Sequence, residues 1–110
     1  MNTQIDSPST EQVTAAADTL KLLADPTRLR ILWALLHGEH SVGDLAEHVG
    51  AAPTGVSQHL AKLRLAHLVT TRRDGNRIFY LADDDHVRRL VEEALFHAGH
   101  VVDEREGRTA

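Results

Sequence analysis

Ser41-Val42-Gly43-Asp44-Leu45-Ala46-Glu47-His48-Val49-Gly50 and, two alanines later, Pro53-Thr54-Gly55-Val56-Ser57-Gln58-His59-Leu60-Ala61-Lys62-Leu63-Arg64 decide the fold. In the first run Ser41 is a helix N-cap with Asp44 as its capping-box partner. Val42, Leu45, Ala46 and Val49 recur on one helical face, and Gly50 stops the helix. In the second run Pro53 opens a helix whose buried stripe is Val56, Leu60 and Leu63. Thr54, Gly55, Ser57, Gln58, His59 and Lys62 are left on its outer face. Two short helices joined by a glycine-containing turn read as a helix-turn-helix.

Downstream, Leu68-Val69-Thr70-Thr71-Arg72-Arg73 and Arg77-Ile78-Phe79-Tyr80-Leu81 are β-prone runs on either side of Asp74-Gly75-Asn76, a hairpin signal. A helix-turn-helix followed by a hairpin carrying Arg72, Arg73 and Arg77 is a winged helix. The expected fold is therefore mainly α with one small β-hairpin. Short polar side chains at the start of the second helix are what base edges in a major groove require. Gln58 suits adenine, Ser57 and Thr54 suit bases or phosphates, and the small Gly55 lets the helix sit close. Lys62 and Arg64 suit phosphates, which position the protein rather than specify sequence. The arginine-bearing wing fits the DNA backbone or the minor groove. Double-stranded DNA is the expected partner.

Upstream, Ser9-Thr10-Glu11-Gln12 reads as a capping box opening a helix to about Leu23, with Val13, Ala16, Ala17, Leu20 and Leu23 on one face. Asp25-Pro26 opens a second helix carrying Leu29, Ile31, Leu32, Leu35 and Leu36 and stopping near Gly38. Trp33 is read as a core or interface anchor, Arg28 and Arg30 as solvated charges, and His37, His40 and His48 as surface residues. The expected organisation is a flexible arm over residues 1–8, one domain over 9–101 and a flexible acidic tail over 102–110.

A length of 110 residues suits one domain with one core, and dimerisation would help a core of that size. With no cysteine, disulfides and thiolate metal sites are excluded. Neither a signal-peptide pattern nor a membrane-length apolar run is present, so a soluble, cytoplasmic protein without a membrane partner is expected. The net charge of −4 looks wrong for a nucleic-acid binder, but its distribution decides. Lys62, Arg64, Arg72, Arg73 and Arg77 face a single acid, Asp74. The acids gather in the last third, among them Asp83, Asp84, Asp85, Glu92 and Glu93.

That last third holds the other chemistry. A final helix is expected from about Asp84 to His100 or slightly beyond, with Val87, Leu90, Val91, Ala94, Leu95 and Ala98 at helical spacing. His86 and His97 are eleven residues apart, almost three turns, and His97 and His100 are neighbours. At a rise of 1.5 Å per residue, His86 and His97 lie about 16 Å apart along the axis, whereas a Zn–N bond is about 2 Å. One copy cannot gather Asp84, His86, His97 and His100 around one ion. Two antiparallel copies related by a two-fold axis can, giving two identical sites per dimer. Three imidazoles and a carboxylate suit four-coordinate zinc or cobalt.

Leu23-Ala24-Asp25-Pro26-Thr27-Arg28-Leu29-Arg30-Ile31-Leu32, Ser41 to Ala46, Val56-Ser57-Gln58-His59-Leu60, Leu63-Arg64 and the Asp84/His86/His97/His100 set together resemble the ArsR/SmtB family of winged-helix metal-sensing repressors, over roughly Leu20 to His100. The resemblance implies a homodimer that binds operator DNA and represses in the apo state, and that is released by metal held between paired last helices. The family's thiolate sites have no counterpart here, because Ser41-Val42-Gly43-Asp44 lacks cysteine. Nickel and cobalt sensors of the family recruit extra ligands from flexible ends. No histidine precedes His37 or follows His100, which favours zinc over nickel, although the N-terminal amine, Asp6 or Glu11 could contribute. The resemblance further implies an outer-shell hydrogen bond from His97 to the backbone at His67, fixing the ligand's tautomer. Two other readings remain: a winged-helix regulator with a non-metal effector or none, and a metallohydrolase, which lacks an open metal position and a general base.

Overall fold

The computed structural model describes residues 7–107. The order is α1 (Thr10–Leu23), α2 (Pro26–Leu36), α3 (Val42–Val49), α4 (Pro53–Leu65), β1 (Val69–Asp74), β2 (Arg77–Ala82) and α5 (Asp85–Arg105). This is the expected mainly α chain with one hairpin, and its helix starts follow from local chemistry. Ser9 and Gln12 close a reciprocal capping box on α1. The Asp25 side chain accepts from the Arg28 N–H, with Pro26 in the first turn of α2. The Ser41 hydroxyl accepts from the Asp44 N–H to open α3, and Gly50 ends that helix in the left-handed region at φ 67°.

Helices α2, α3 and α4 pack around one apolar core. Ile31 and Leu32 of α2, Leu45 of α3, and Val56, Leu60 and Leu63 of α4 are all fully shielded from solvent. Each buried aliphatic side chain of this size contributes roughly 1.5–3 kcal/mol. Among the described residues, no polar or charged side chain is buried.

The hairpin is antiparallel, with Val69 opposite Ala82 and Asp74 opposite Arg77, so Gly75-Asn76 form the turn. Gly75 has φ 62°, the positive value that two-residue hairpin turns demand. Backbone hydrogen bonds between His40 and Tyr80, 2.8 and 3.1 Å long, moor β2 to the segment before α3.

Two expectations require correction. Helix α5 continues to Arg105, so residues 102–105, expected in a flexible tail, are helical. Residues 1–6 and 108–110 of the expected arm and tail lie outside the described residues, as do the amine and Asp6 considered as extra ligands. Second, several residues of the expected apolar faces, and Trp33, read as a core or interface anchor, are on the surface of the single chain. Val13 and Leu20 of α1 are 54% and 56% exposed, Trp33 of α2 is 44% exposed, and only Val87 and Val91 of α5 are buried. The expected periodicity is present, but nothing within one chain covers these faces.

Leu60 is fully buried between the helices that frame α4. Leu60→Ala is expected to lower stability by about 2–5 kcal/mol, through lost burial plus the cavity left behind. Urea unfolding followed by circular dichroism checks this, and a loss under about 1 kcal/mol would contradict the core assignment.

Candidate functional site

The helix-turn-helix is α3, the turn Gly50-Ala51-Ala52, and α4. Because Val56, Leu60 and Leu63 are buried, the rotation of α4 is fixed, and Thr54, Ser57, Gln58, Lys62 and Arg64 are exposed together. A Cβ added at Gly55 would meet nothing within 4 Å. The fold therefore does not require glycine there, and the space lies on the open side of the helix.

His59 differs from its neighbours. It is half-buried, and its Nδ1 accepts a 3.0 Å hydrogen bond from Arg28 Nε on α2. Arg28 also donates to the Leu22 carbonyl at 3.3 Å. An arginine cannot accept, so Nδ1 is the acceptor in this bond and the ring N–H is on Nε2. Any contact His59 makes outward is then as an Nε2–H donor. The bond spans 31 residues of sequence, and no local pattern announces it. Arg28, expected to be a solvated charge, is a brace. It also holds the Asp25 carboxyl below its ordinary range, chiefly through the Arg28 backbone N–H.

Helix α4 ends in a Schellman motif. The His67 N–H donates to the Arg64 carbonyl and the Leu68 N–H to the Leu63 carbonyl. His67 itself is left-handed at φ 59°, the only non-glycine described residue with positive φ. His67 thus has a structural duty that its sequence position does not reveal. In the single chain it makes no hydrogen bond to His97.

On the wing, Arg73 and Arg77 are exposed, and Arg77 lies 5.0 Å over the Phe79 ring. Arg72 is engaged: its guanidinium makes a two-pronged ion pair with Glu39 and lies 4.9 Å over the same ring. Glu39 was not singled out in the sequence, because its partner is 33 residues away.

The second candidate set is on α5. Asp84 is the N-cap, and its Oδ1 accepts from the His86 and Val87 N–H groups at 3.0 and 3.1 Å. His86, His97 and His100 lie on one uninterrupted helix and are exposed with Asp84. Among the described residues, no three histidine or carboxylate side chains of one chain are gathered closely enough to hold a metal ion. His86 and Asp84 are therefore together at one end of α5, and His97 and His100 at the other. An Arg89 Nη2 lies 3.4 Å from His86 Nδ1, and Phe96 packs against the His100 ring at 5.0 Å.

The model of bacterial regulatory proteins of the arsR family matches residues 25–71, from the start of α2 into β1. The HTH-type transcriptional regulator KmtR of Mycobacterium tuberculosis is 52% identical over 90 residues, covering 82% of this chain and 69% of that protein. The chain belongs to the ArsR family. This ArsR-family chain is thus a helix-turn-helix transcriptional regulator and not an enzyme. A cadmium resistance transcriptional regulatory protein CadC homolog of Staphylococcus aureus is 37% identical over 82 residues, 74% of this chain and 68% of that protein. Among solved structures, a homodimeric winged helix-turn-helix DNA-binding domain from Mycobacterium bovis superposes with a TM-score of 0.80 at 31% identity, covering 94% of this chain and 95% of that one. No helix among the described residues is long and apolar enough to cross a membrane.

The Arg72 hydrogen bond holds the Glu39 carboxyl below its ordinary value of 4.5. A lowered folded-state pKa means the bridge contributes fully above the ordinary value and is lost as pH falls through the lowered one. Arg72 is exposed and Glu39 is only partly buried, so the effect on stability is small. The Arg72 Nε–H resonance is expected to lose its exchange protection in acid, and to lack it at neutral pH in Glu39→Ala. Protection that persists in Glu39→Ala would count against the pair.

Proposed function

We propose that this chain is a metal-responsive repressor: a homodimer that holds operator DNA through α4 and the wing, and that releases it when zinc is held between paired α5 helices. The observation that carries the reading is the division of the α5 donors. Asp84 and His86 stand at one end of a 21-residue helix, and His97 and His100 near the other, so each end is half of a site. The donor set fits the ion: imidazoles and one carboxylate satisfy zinc or cobalt, with nickel less well served. Asp84 keeps Oδ2 available, because only Oδ1 is used in capping.

The homodimer named for the Mycobacterium bovis domain, 31% identical to this chain, supports the second copy, and the name of the CadC homolog supports a metal. Cadmium itself suits this chain poorly, because soft thiolate donors are absent. The exposed Val13, Leu20, Leu90, Leu95 and Phe96 offer apolar surface for the partner.

When bound, zinc would tie the two α5 helices together and fix their relative position. His86 would then give up its 3.4 Å contact with Arg89, because an Nδ1 that either ligates or carries the ring proton cannot accept there. All three imidazoles must be neutral to ligate, so acid weakens binding. Thr54, Ser57, Gln58 and the Nε2–H of His59 would face base edges or phosphates. Lys62, Arg64, Arg73 and Arg77 would lie along phosphates, and Arg72 would join them on leaving Glu39. His67 would carry the outer-shell contact to His97 across its backbone carbonyl.

A second reading keeps the DNA-binding dimer but assigns another effector. A groove of about 840 Å³ lined by Leu29, Trp33, Ala34, His37 and Leu95, among others, favours a largely apolar one. Absence of zinc uptake by the pure protein would select this reading.

Operator binding by fluorescence anisotropy, with DNA from the protein's own promoter region, tests the switch. Saturating zinc is expected to weaken binding by roughly 5–150-fold, and His97→Asn to abolish the response while leaving apo binding intact. Equal affinity with and without zinc would reject it. Gly55→Ala is expected to raise stability by up to about 1 kcal/mol, since alanine is the better helix former, and yet to weaken DNA binding by crowding the approach. Unchanged affinity in that variant would remove α4 from the interface.

A further inference from the structure

Helices α2 and α4 are joined by the 3.0 Å hydrogen bond from Arg28 Nε to His59 Nδ1. We propose that Arg28 is a specificity-determining residue that does not itself touch DNA. By occupying Nδ1 it makes His59 a one-way donor through Nε2, so that α4 takes only an acceptor at that position, a purine N7 or a phosphate oxygen. The proposal rests on α4 being the helix that meets DNA.

The second ring nitrogen is open to a ligand. Among the described residues, no side-chain nitrogen or oxygen is buried without a hydrogen-bond partner. His59 Nε2 has no partner among them, so it reaches solvent although the ring as a whole is half-buried. One turn earlier on α4 stands Gly55, so no side chain rises beside the ring there. His59 also borders the buried stripe of Val56, Leu60 and Leu63, whereas Thr54, Ser57 and Gln58 are exposed. It therefore stands at the flank of the α4 surface, which would meet the wall of a major groove rather than its middle. The phosphates form that wall, and N7 is the purine edge atom nearest to it.

An imidazole without a partner can carry its proton on either nitrogen, and so present a donor or an acceptor. Adenine N6 and cytosine N4, which are donors, would then be tolerated. The Arg28 bond removes that ambiguity, and an arginine is suited to the task. Its backbone is fixed by the Asp25 carboxylate, which accepts from the Arg28 N–H at 3.0 Å. Its Nη1 donates to the Leu22 carbonyl in the last turn of α1 at 3.3 Å, while Nε donates to the ring. The guanidinium is planar, so the first bond aims the second, whereas a lysine ammonium has the charge without the fork.

The test is a double-mutant cycle on the full-length protein, with DNA from its own promoter region. Arg28→Lys is expected to weaken DNA binding by roughly 2–10-fold, the worth of one hydrogen bond. In the free variant the His59 ring nitrogens, followed by NMR, are expected to average between tautomers. In His59→Gln, whose amide donates without a fixed tautomer, the same Arg28→Lys change is expected to cost nothing. An equal loss in both backgrounds makes Arg28 a general support and overturns the proposal, as does an unchanged His59 tautomer in Arg28→Lys. Purines replaced by 7-deazapurines, and phosphates by methylphosphonates, then identify the acceptor. The unaltered protein is expected to lose affinity at one replacement that His59→Ala no longer senses, and indifference to both kinds overturns the proposal. Gln58→Ala separates the two readings. Weakened binding in Gln58→Ala with a flat Arg28 cycle rejects this proposal alone, and unchanged binding in Gln58→Ala, His59→Ala and Arg28→Lys alike rejects α4 as the DNA helix as well.

Discussion

The rotation of α4 about its own axis is the constraint on which the rest depends. Three aliphatic residues, Val56, Leu60 and Leu63, are wholly withdrawn from water, and a helix has only one rotation that buries all three. The polar residues between them are exposed as a consequence and need no stabilisation of their own. This is why the face can carry Thr54, Gly55, Ser57 and Gln58, none of which favours helix strongly. The ends are fixed separately, by Pro53 in the first turn and by the left-handed His67 after the last. The Arg28–His59 hydrogen bond then removes the remaining freedom of one side chain of that helix, His59.

The unpartnered face of α5 and the placement of Asp84 and His86 at one end and His97 and His100 near the other belong to one helix. Leu90, Leu95, Phe96 and Val102 are between 38% and 67% exposed, on a helix that touches the core only through Val87 and Val91. A helix that buries two residues out of 21 gains little from its own chain. A second antiparallel copy would cover the apolar residues and bring the two halves of the donor set together in one step. The exposed Val13 and Leu20 of α1 and the half-exposed Trp33 of α2 belong to the same surplus.

What was legible in the sequence, and what was not, divides along physical lines. Caps, turns and burial stripes are local: Ser9 with Gln12, Asp25 with Pro26, Ser41, Gly50 and Gly75 each act within a few residues, and each appears where expected. Periodicity reveals which residues share an apolar face but not what buries them, and the chain alone does not cover Leu20, Leu90 and Leu95. The end of α5 was missed because Val102 to Arg105 are acidic and lack a stripe, while helix propagation carries through them. Pairings between distant charges were not legible at all. Arg28 with His59, and Arg72 with Glu39, join residues more than 30 apart whose types are ordinary on any surface. The α5 donor set was legible as a spacing, and only the continuity of the helix gives that spacing its consequence.

Those distant pairings matter for how α5 could reach α4 at all. Helix α5 packs against α2, and α2 is joined to α4 by the Arg28–His59 hydrogen bond. Arg88 of α5 donates to the Leu36 carbonyl at 2.6 Å, satisfying an end of α2 that has no basic residue of its own in its last turn. At the other end of α2, Arg28 holds His59. An 11-residue helix is about 16 Å of stiff rod, and this one is gripped at both ends by arginine hydrogen bonds. A shift of α5 that carried Arg88 with it would move the far end of α2, and with it the partner that fixes the proton on His59. The alternative route, from His97 to the backbone at His67, needs a contact that the single chain does not make. Of the two, only the α2 route is already assembled in the single chain, so the fold itself links α5 to His59 of α4 through hydrogen bonds at the two ends of α2.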